Sequence, residues 1–60
     1  MIIEVKDQNE KKVEQEFKNI KDAKSYCKVT TAMHSSLILS VMVDGYQKAH
    51  YKQGRLIYSV

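Results

Sequence analysis

The chain has 60 residues, of which 43% are hydrophobic and 28% charged, and its formal net charge is +3. We expect one domain, residues 1–60, with a core too small to enclose the deep cleft that most enzymes require. No apolar run approaches the roughly 20 residues of a membrane helix, and the first residues lack the basic and apolar regions of a signal peptide. These observations predict a non-enzymatic protein of the cytoplasm, with no membrane as partner.

Two short runs that alternate between apolar and polar residues begin the chain, over residues 1–6 and 12–17. Val13, Gln15 and Phe17 share one side of the second run. A polar stretch joins the two runs, and this combination predicts a β-hairpin.

A helical period replaces the alternation over residues 20–31. Asn19 is the predicted N-cap, and Asp22 adds a carboxylate to the first turn, where the helix dipole favours negative charge. Cys27 falls on the apolar stripe of this helix, so we interpret it as a small buried side chain rather than a nucleophile.

Three more strands are predicted, over residues 37–43, 46–52 and 55–60, with turns at Asp44-Gly45 and Gln53-Gly54. Glycine-containing pairs between extended runs are typical of hairpin turns. The element order is then ββαβββ. We predict a small α+β fold, an antiparallel sheet with one helix packed on one face.

The length of the Asp44-Gly45 turn decides which side chains share a face of the sheet. A two-residue loop would place Lys48 and His50 among the apolar side chains, where burial of charge is unfavourable. A three-residue loop that begins at Val43 shifts the pairing by one residue and moves them to the opposite face. We therefore predict the three-residue loop, followed by a two-residue loop at Gln53-Gly54.

One helix covers one face of such a sheet, so the other face is predicted to stay open. Tyr51 and Tyr58 are assigned to the covered face. The open face mixes cations with apolar side chains, a combination typical of binding surfaces, although a solvated face that tolerates a few hydrophobic residues has the same pattern. The residues that we assign to a partner-binding site on the open face are Ile38, Met42, Tyr46, Lys48, His50, Lys52 and Arg55.

Residues with catalytic or ligand-binding chemistry are sparse. His34 and His50 have no carboxylate or cysteine at the spacing of a metal site, and a single cysteine excludes an internal disulfide. The sequence contains no glycine-rich loop of the kind that binds phosphate. We predict no catalytic residues, no metal site and no cofactor.

Three functions fit these expectations. The first is a non-catalytic protein–protein interaction module that blocks its partner by occlusion, with Tyr46 and Arg55 contributing most of the binding energy. The second is a small basic module that makes weak contact with nucleic acid. The third is a homodimer that self-associates through Ile38, Met42 and Ile57.

Three segments resemble the type I-F anti-CRISPR proteins in element order and turn spacing. They are the run from Val13 to Lys24, the strand that leads into Asp44-Gly45, and residues 46–60 with their Gln53-Gly54 turn. The resemblance implies a small phage-encoded inhibitor that binds stoichiometrically to a host protein or nucleoprotein complex. It assigns no individual residue to the binding site.

Overall fold

A four-stranded antiparallel sheet in the order β1-β2-β3-β4 forms one layer of the molecule, and a single helix forms the other, in a computed structural model that describes residues 1–59. Helix α1 contacts all four strands and packs on one face of the sheet. The predicted α+β class is therefore confirmed. The elements are β1 (Ile3–Asp7), α1 (Ile20–Met33), β2 (Ile38–Val43), β3 (Tyr46–Lys52) and β4 (Arg55–Ser59).

The predicted second strand over residues 12–17 is reduced to an isolated bridge between Lys6 and Lys12. The backbone of residues 11–13 does pair with the outer edge of β1, where the Val13 N–H donates to the Val5 carbonyl over 2.8 Å. The chain then leaves the sheet, so the order is βαβββ and the prediction of a fifth strand is wrong.

The early departure of this segment follows from its side chains. A continued strand would hold Gln15 on the helix-covered side together with Val13 and Phe17. Instead Gln15 is exposed, while Val13 and Phe17 pack against the core. The Phe17 ring meets Tyr26 of α1 with ring centroids 5.3 Å apart, so contact with the helix replaces strand pairing.

Helix α1 begins as predicted and ends later. The Asn19 side chain accepts a hydrogen bond of 2.8 Å from the Asp22 N–H, which confirms the N-cap. The helix continues to Met33, two residues beyond the predicted end. Thr31 anchors this last turn to the sheet, because its side chain is fully buried and its hydroxyl accepts a hydrogen bond from the Gly54 N–H over 3.0 Å while it donates to the Cys27 carbonyl over 2.7 Å.

The hairpin between β2 and β3 has a two-residue turn, which corrects the prediction of three. Val43 pairs with Tyr46, and Asp44 and Gly45 both have positive φ, of 50° and 84°. This is the type I′ geometry that Asp-Gly pairs favour, since it matches the twist of the flanking strands.

A β-bulge restores the faces, though not the register, that the three-residue loop was predicted to give. The pairing shifts between Val41 and Met42, which leaves Lys48 as the extra residue of β3. Beyond this point Val41 pairs with Ala49, whereas the three-residue loop would pair it with Gln47, and Ala49 is buried on the predicted face. The apolar side chains therefore share the covered face even though the turn is short.

The hairpin between β3 and β4 has the predicted two-residue turn, with Lys52 opposite Arg55. A second bulge follows, at Ile57, and places Tyr58 opposite His50. Because cross-strand partners share a face, Tyr58 lies on the open face, and its assignment to the covered face is wrong. The last residue of the predicted strand, Val60, lies outside the described residues.

The core lies between α1 and the covered face of the sheet, and every strand except β4 contributes to it. Its side chains are almost completely shielded from solvent. The buried hydrophobic residues are Val5, Ala23, Cys27, Leu39, Val41, Val43, Ala49 and Tyr51.

Gly54 joins the β3–β4 turn to the helix. Its N–H donates to the Thr31 hydroxyl over 3.0 Å. A Cβ added at Gly54 would lie 2.9 Å from the Ala32 Cβ, and φ is +75°. Gly45 also has positive φ, but a Cβ added there would meet nothing within 4 Å.

These two glycines form a matched pair for a stability measurement. Gly45→Ala should lower the free energy of unfolding by about 1–2 kcal/mol, because of its left-handed backbone alone. Gly54→Ala should lower it further, since the new methyl group also collides with Ala32. Urea denaturation of both variants measures the difference. Equal losses of stability in the two variants would show that Gly54 and Ala32 are not in tight contact. Partial recovery of stability in the double variant Gly54→Ala/Ala32→Gly would support the tight contact.

Candidate functional site

The open face of the sheet lies opposite α1, and its side chains alternate with those that the helix covers. Residues of all four strands contribute to it. Lys48 belongs to it because the next residue, Ala49, is buried on the covered side. The open-face residues are Glu4, Lys6, Ile38, Ser40, Met42, Gln47, Lys48, His50, Lys52, Arg55, Ile57 and Tyr58.

A row of four hydrogen-bonding side chains crosses the centre of the open face. Lys6 pairs with Ser40, Ser40 with His50, and His50 with Tyr58, one residue from each strand. Ser40 Oγ and His50 Nε2 are 3.4 Å apart. The His50 and Tyr58 rings meet edge to face, with centroids 5.8 Å apart and planes at 83°.

Apolar side chains flank this row within a shallow groove of about 370 Å³. Ile38, Met42 and Ile57 supply the apolar part of the groove. Ile57 is 55% exposed and Tyr58 is 49% exposed, so a large apolar area of β4 faces solvent. Gln8 closes one end, where its amide bonds to the Ser36 carbonyl and to the Ile38 N–H.

The open face carries net positive charge. Among residues 1–59, Glu4 is the one acidic residue at an open-face strand position, and it forms an ion pair of 3.1 Å with Lys12. Asp7 and Glu10 line the groove at the edge of this face. No Asp or Glu occurs in β3 or β4. Lys52 and Arg55, both exposed, lie directly opposite each other, and such like-charge pairs destabilise a sheet.

Six of the seven residues predicted for the binding site lie on the open face, and Tyr46 does not. Tyr46 is opposite Val43, whose side chain is buried on the covered side. It is 74% exposed at the end of the sheet. The two-residue turn explains this correction, since it reverses the face of the first residue of β3.

The binding site predicted from the sequence leaves out six residues of the open face: Glu4, Lys6, Ser40, Gln47, Ile57 and Tyr58. Ser40 and Gln47 carry no distinctive signal by themselves. Tyr58 ends a continuous apolar run that begins with Leu56 and Ile57. Because this run does not alternate with polar residues, the sequence does not show where the bulge lies. That these open-face residues bind a partner remains a prediction.

The Ser40–His50 contact joins two neighbouring strands within hydrogen-bond distance. In catalytic Ser–His pairs a third group orients the imidazole, and among residues 1–59 no carboxylate forms an ion pair with His50. Within the same residues, no group of three or more His, Cys, Asp or Glu side chains is placed to hold a metal ion. The helix of the described chain lacks the length and hydropathy needed to cross a membrane.

Cys27 is fully buried between the helix and the sheet. Burial raises the pKa of its thiol to about 12 and also raises the pKa of Tyr51, to which the nearby Cys27 adds a smaller effect. A thiol with such a pKa stays protonated at neutral pH and is a poor nucleophile.

Comparison of the chain with protein-family profiles, with curated proteins and with solved structures finds no match. The candidate site therefore has to be interpreted from its own geometry.

The buried thiol leads to a prediction about stability at alkaline pH. In the unfolded chain Cys27 loses its proton near pH 9, whereas the folded chain keeps it until about pH 12. The unfolded state therefore binds fewer protons in this range, and the free energy of unfolding should fall as the pH rises above 9. When denaturation is measured between pH 8 and pH 11, the free energy of unfolding should fall less steeply for Cys27→Ala than for the wild-type chain. Parallel profiles of the two proteins would contradict a buried, protonated thiol.

Proposed function

We propose that this chain is a non-catalytic binding module of a phage or other mobile element, and that it inhibits a host defence or nucleic-acid-processing complex by occlusion. The observation that carries the proposal is the open face, where an apolar groove, also lined by Lys6, Asp7 and Glu10, lies next to the cations of β3 and β4. One helix covers the sheet from the other side only. The proposed place of action is the cytoplasm of the host.

The apolar part of the open face supports binding to a protein. Burial of an exposed isoleucine or methionine side chain contributes about 1.5–3 kcal/mol, and Ile38, Met42 and Ile57 lie together in the groove. The aromatic Tyr58 and the polar row beside them provide the mixed character of an interface centre.

The charge of the open face supports an acidic partner. Lys52 and Arg55 face each other across β3 and β4 with no carboxylate on either strand. A carboxylate of the partner would relieve this repulsion and also accelerate association through long-range attraction.

Single-stranded nucleic acid is the second candidate for the same face. The observation that favours it is the His50–Tyr58 ring pair close to Lys48 and Lys52. Such strands bind to cationic surfaces on which aromatic rings stack with the bases. The two rings here meet edge to face, and the groove is otherwise aliphatic, so we place protein binding first.

Tyr58 and Tyr46 allow a controlled test of the surface, because both are exposed tyrosines and only Tyr58 lies on the open face. Immobilised wild-type protein and the variants Tyr58→Ala and Tyr46→Ala are exposed to nuclease-treated lysate of the host, and the retained proteins are quantified. Tyr58→Ala should reduce retention of the partner about tenfold, or 1.4 kcal/mol, while Tyr46→Ala should retain it.

Each other outcome of the capture experiment opposes the proposal. Equal loss in both variants would exclude the open face as the contact surface. Retention from an untreated lysate that is absent from the nuclease-treated lysate would favour nucleic acid. Sedimentation equilibrium that shows a dimer broken by Tyr58→Ala would assign the face to a second copy of the chain.

Inhibition of a type I-F CRISPR system is tested separately in cells. Expression of the wild-type chain in a bacterium with an active system should raise the plating of a targeted phage towards that of an untargeted phage. Tyr58→Ala should lose this effect, whereas Tyr46→Ala should keep it. Unchanged plating with the wild-type chain, present at a level confirmed by immunoblot, would exclude this target.

A further inference from the structure

Three lysines of α1 lie on one side of the helix, away from the open face. Lys21, Lys24 and Lys28 are three and four residues apart, a spacing that places them along one side. They line a shallow groove of about 410 Å³ together with Ile20, Ser25 and Tyr51. We refer to this feature as the lysine groove.

The lysine groove lies where α1 meets the β3–β4 hairpin. Tyr51 of β3 forms part of it, and the Lys28 carbonyl is 3.5 Å from the position of a Cβ on Gly54. The turn at Gly54 is flanked by Lys52 and Arg55. Positive charge therefore continues from the helix to the rim of the open face.

Within residues 1–59, no carboxylate lines the lysine groove. The one acidic residue of α1 is Asp22, and it lines a different groove with Phe17 and Tyr26, on another side of the helix. Among residues 1–59, Lys21, Lys24 and Lys28 take part in no ion pair. Lys21 and Lys28 are exposed, so their ammonium groups are accessible to a ligand.

The dimensions of the stripe fit a phosphate backbone. Seven residues separate Lys21 from Lys28, which corresponds to about 10.5 Å along the helix axis. One strand of a duplex carries a phosphate about every 3.4 Å along its axis. Because the strand also winds around this axis, neighbouring phosphates are farther apart than the rise, and three lysines over this distance can contact successive phosphates of one strand.

The chemistry of the lining favours nucleic acid over an acidic protein. Tyr51 is only 7% exposed and Ile20 is half-buried, so the groove offers no apolar anchor of the kind that centres a protein interface. Lysine is depleted at such centres. As a hydrated point charge, it binds phosphates without reading the bases.

We propose that the lysine groove binds the phosphate backbone of a nucleic acid without sequence specificity. This site is separate from the open face and does not depend on the function proposed for it. A chain with both surfaces contacts protein on the open face and nucleic acid along the side of α1.

Fluorescence anisotropy with a short labelled DNA duplex tests the proposal in salt from about 50 to 200 mM. The variant Lys21→Gln/Lys24→Gln/Lys28→Gln removes the charges and keeps residues of similar helix propensity. The matched control, Lys6→Gln/Lys12→Gln/Lys48→Gln, removes the same number of charges from the open face and its edge, away from the lysine groove. Circular dichroism checks that both variants fold.

Wild-type protein should bind the duplex, and the helix variant should bind at least about tenfold more weakly at the lower salt concentration. Its slope of log K against log salt should fall by about 2.7, or 0.9 for each lysine. The open-face control should change little. If the helix variant fails to fold, each single substitution should lower the slope by about 0.9.

Three results would overturn the proposal. They are absence of binding by the wild-type chain at low salt, equal loss in both triple variants, and binding of polyglutamate as tight as that of DNA. Partner capture through the open face should be unchanged in the helix variant, so failure of one proposal is distinguishable from failure of the other.

Discussion

Two extra residues, Lys48 in β3 and Ile57 in β4, control which side chains reach each face of the sheet. Side-chain direction reverses at every residue of a strand, so one inserted residue exchanges the faces of all positions beyond it. The bulge at Lys48 allows a tight two-residue turn to coexist with burial of Ala49. The bulge at Ile57 brings Tyr58 beside His50 and so completes the polar row of the open face.

The single helix fixes the positions of both candidate surfaces. Its buried side packs on the covered face of the sheet, and the Thr31 hydroxyl links it to the β3–β4 turn through the Gly54 N–H. Because one helix covers only one face, the open face keeps its apolar groove exposed. The same orientation of α1 leaves Lys21 and Lys28 exposed along the side next to the hairpin.

The two surfaces use different physical interactions. The open face combines apolar burial with charge, so binding there depends on shape and on desolvation of a groove. The lysine groove offers charge with little apolar area, and binding there would be driven by release of counterions from a phosphate backbone. A nucleoprotein complex presents both kinds of surface, which joins the two proposals without making either depend on the other.

Local signals in the sequence were sufficient for the α+β class, the Asn19 cap, the bounds of β3 and the two-residue turn at Gln53-Gly54. Each depends on side chains within a few residues of one another. The face of Tyr46 follows from the local Asp44-Gly45 turn. Tertiary packing decided that residues 12–17 leave the sheet and that bulges bury Ala49 under the helix and place Tyr58 on the open face. The position of a bulge depends on which distant side chains are buried under the helix. The alternation of apolar and polar residues within one strand does not indicate that burial.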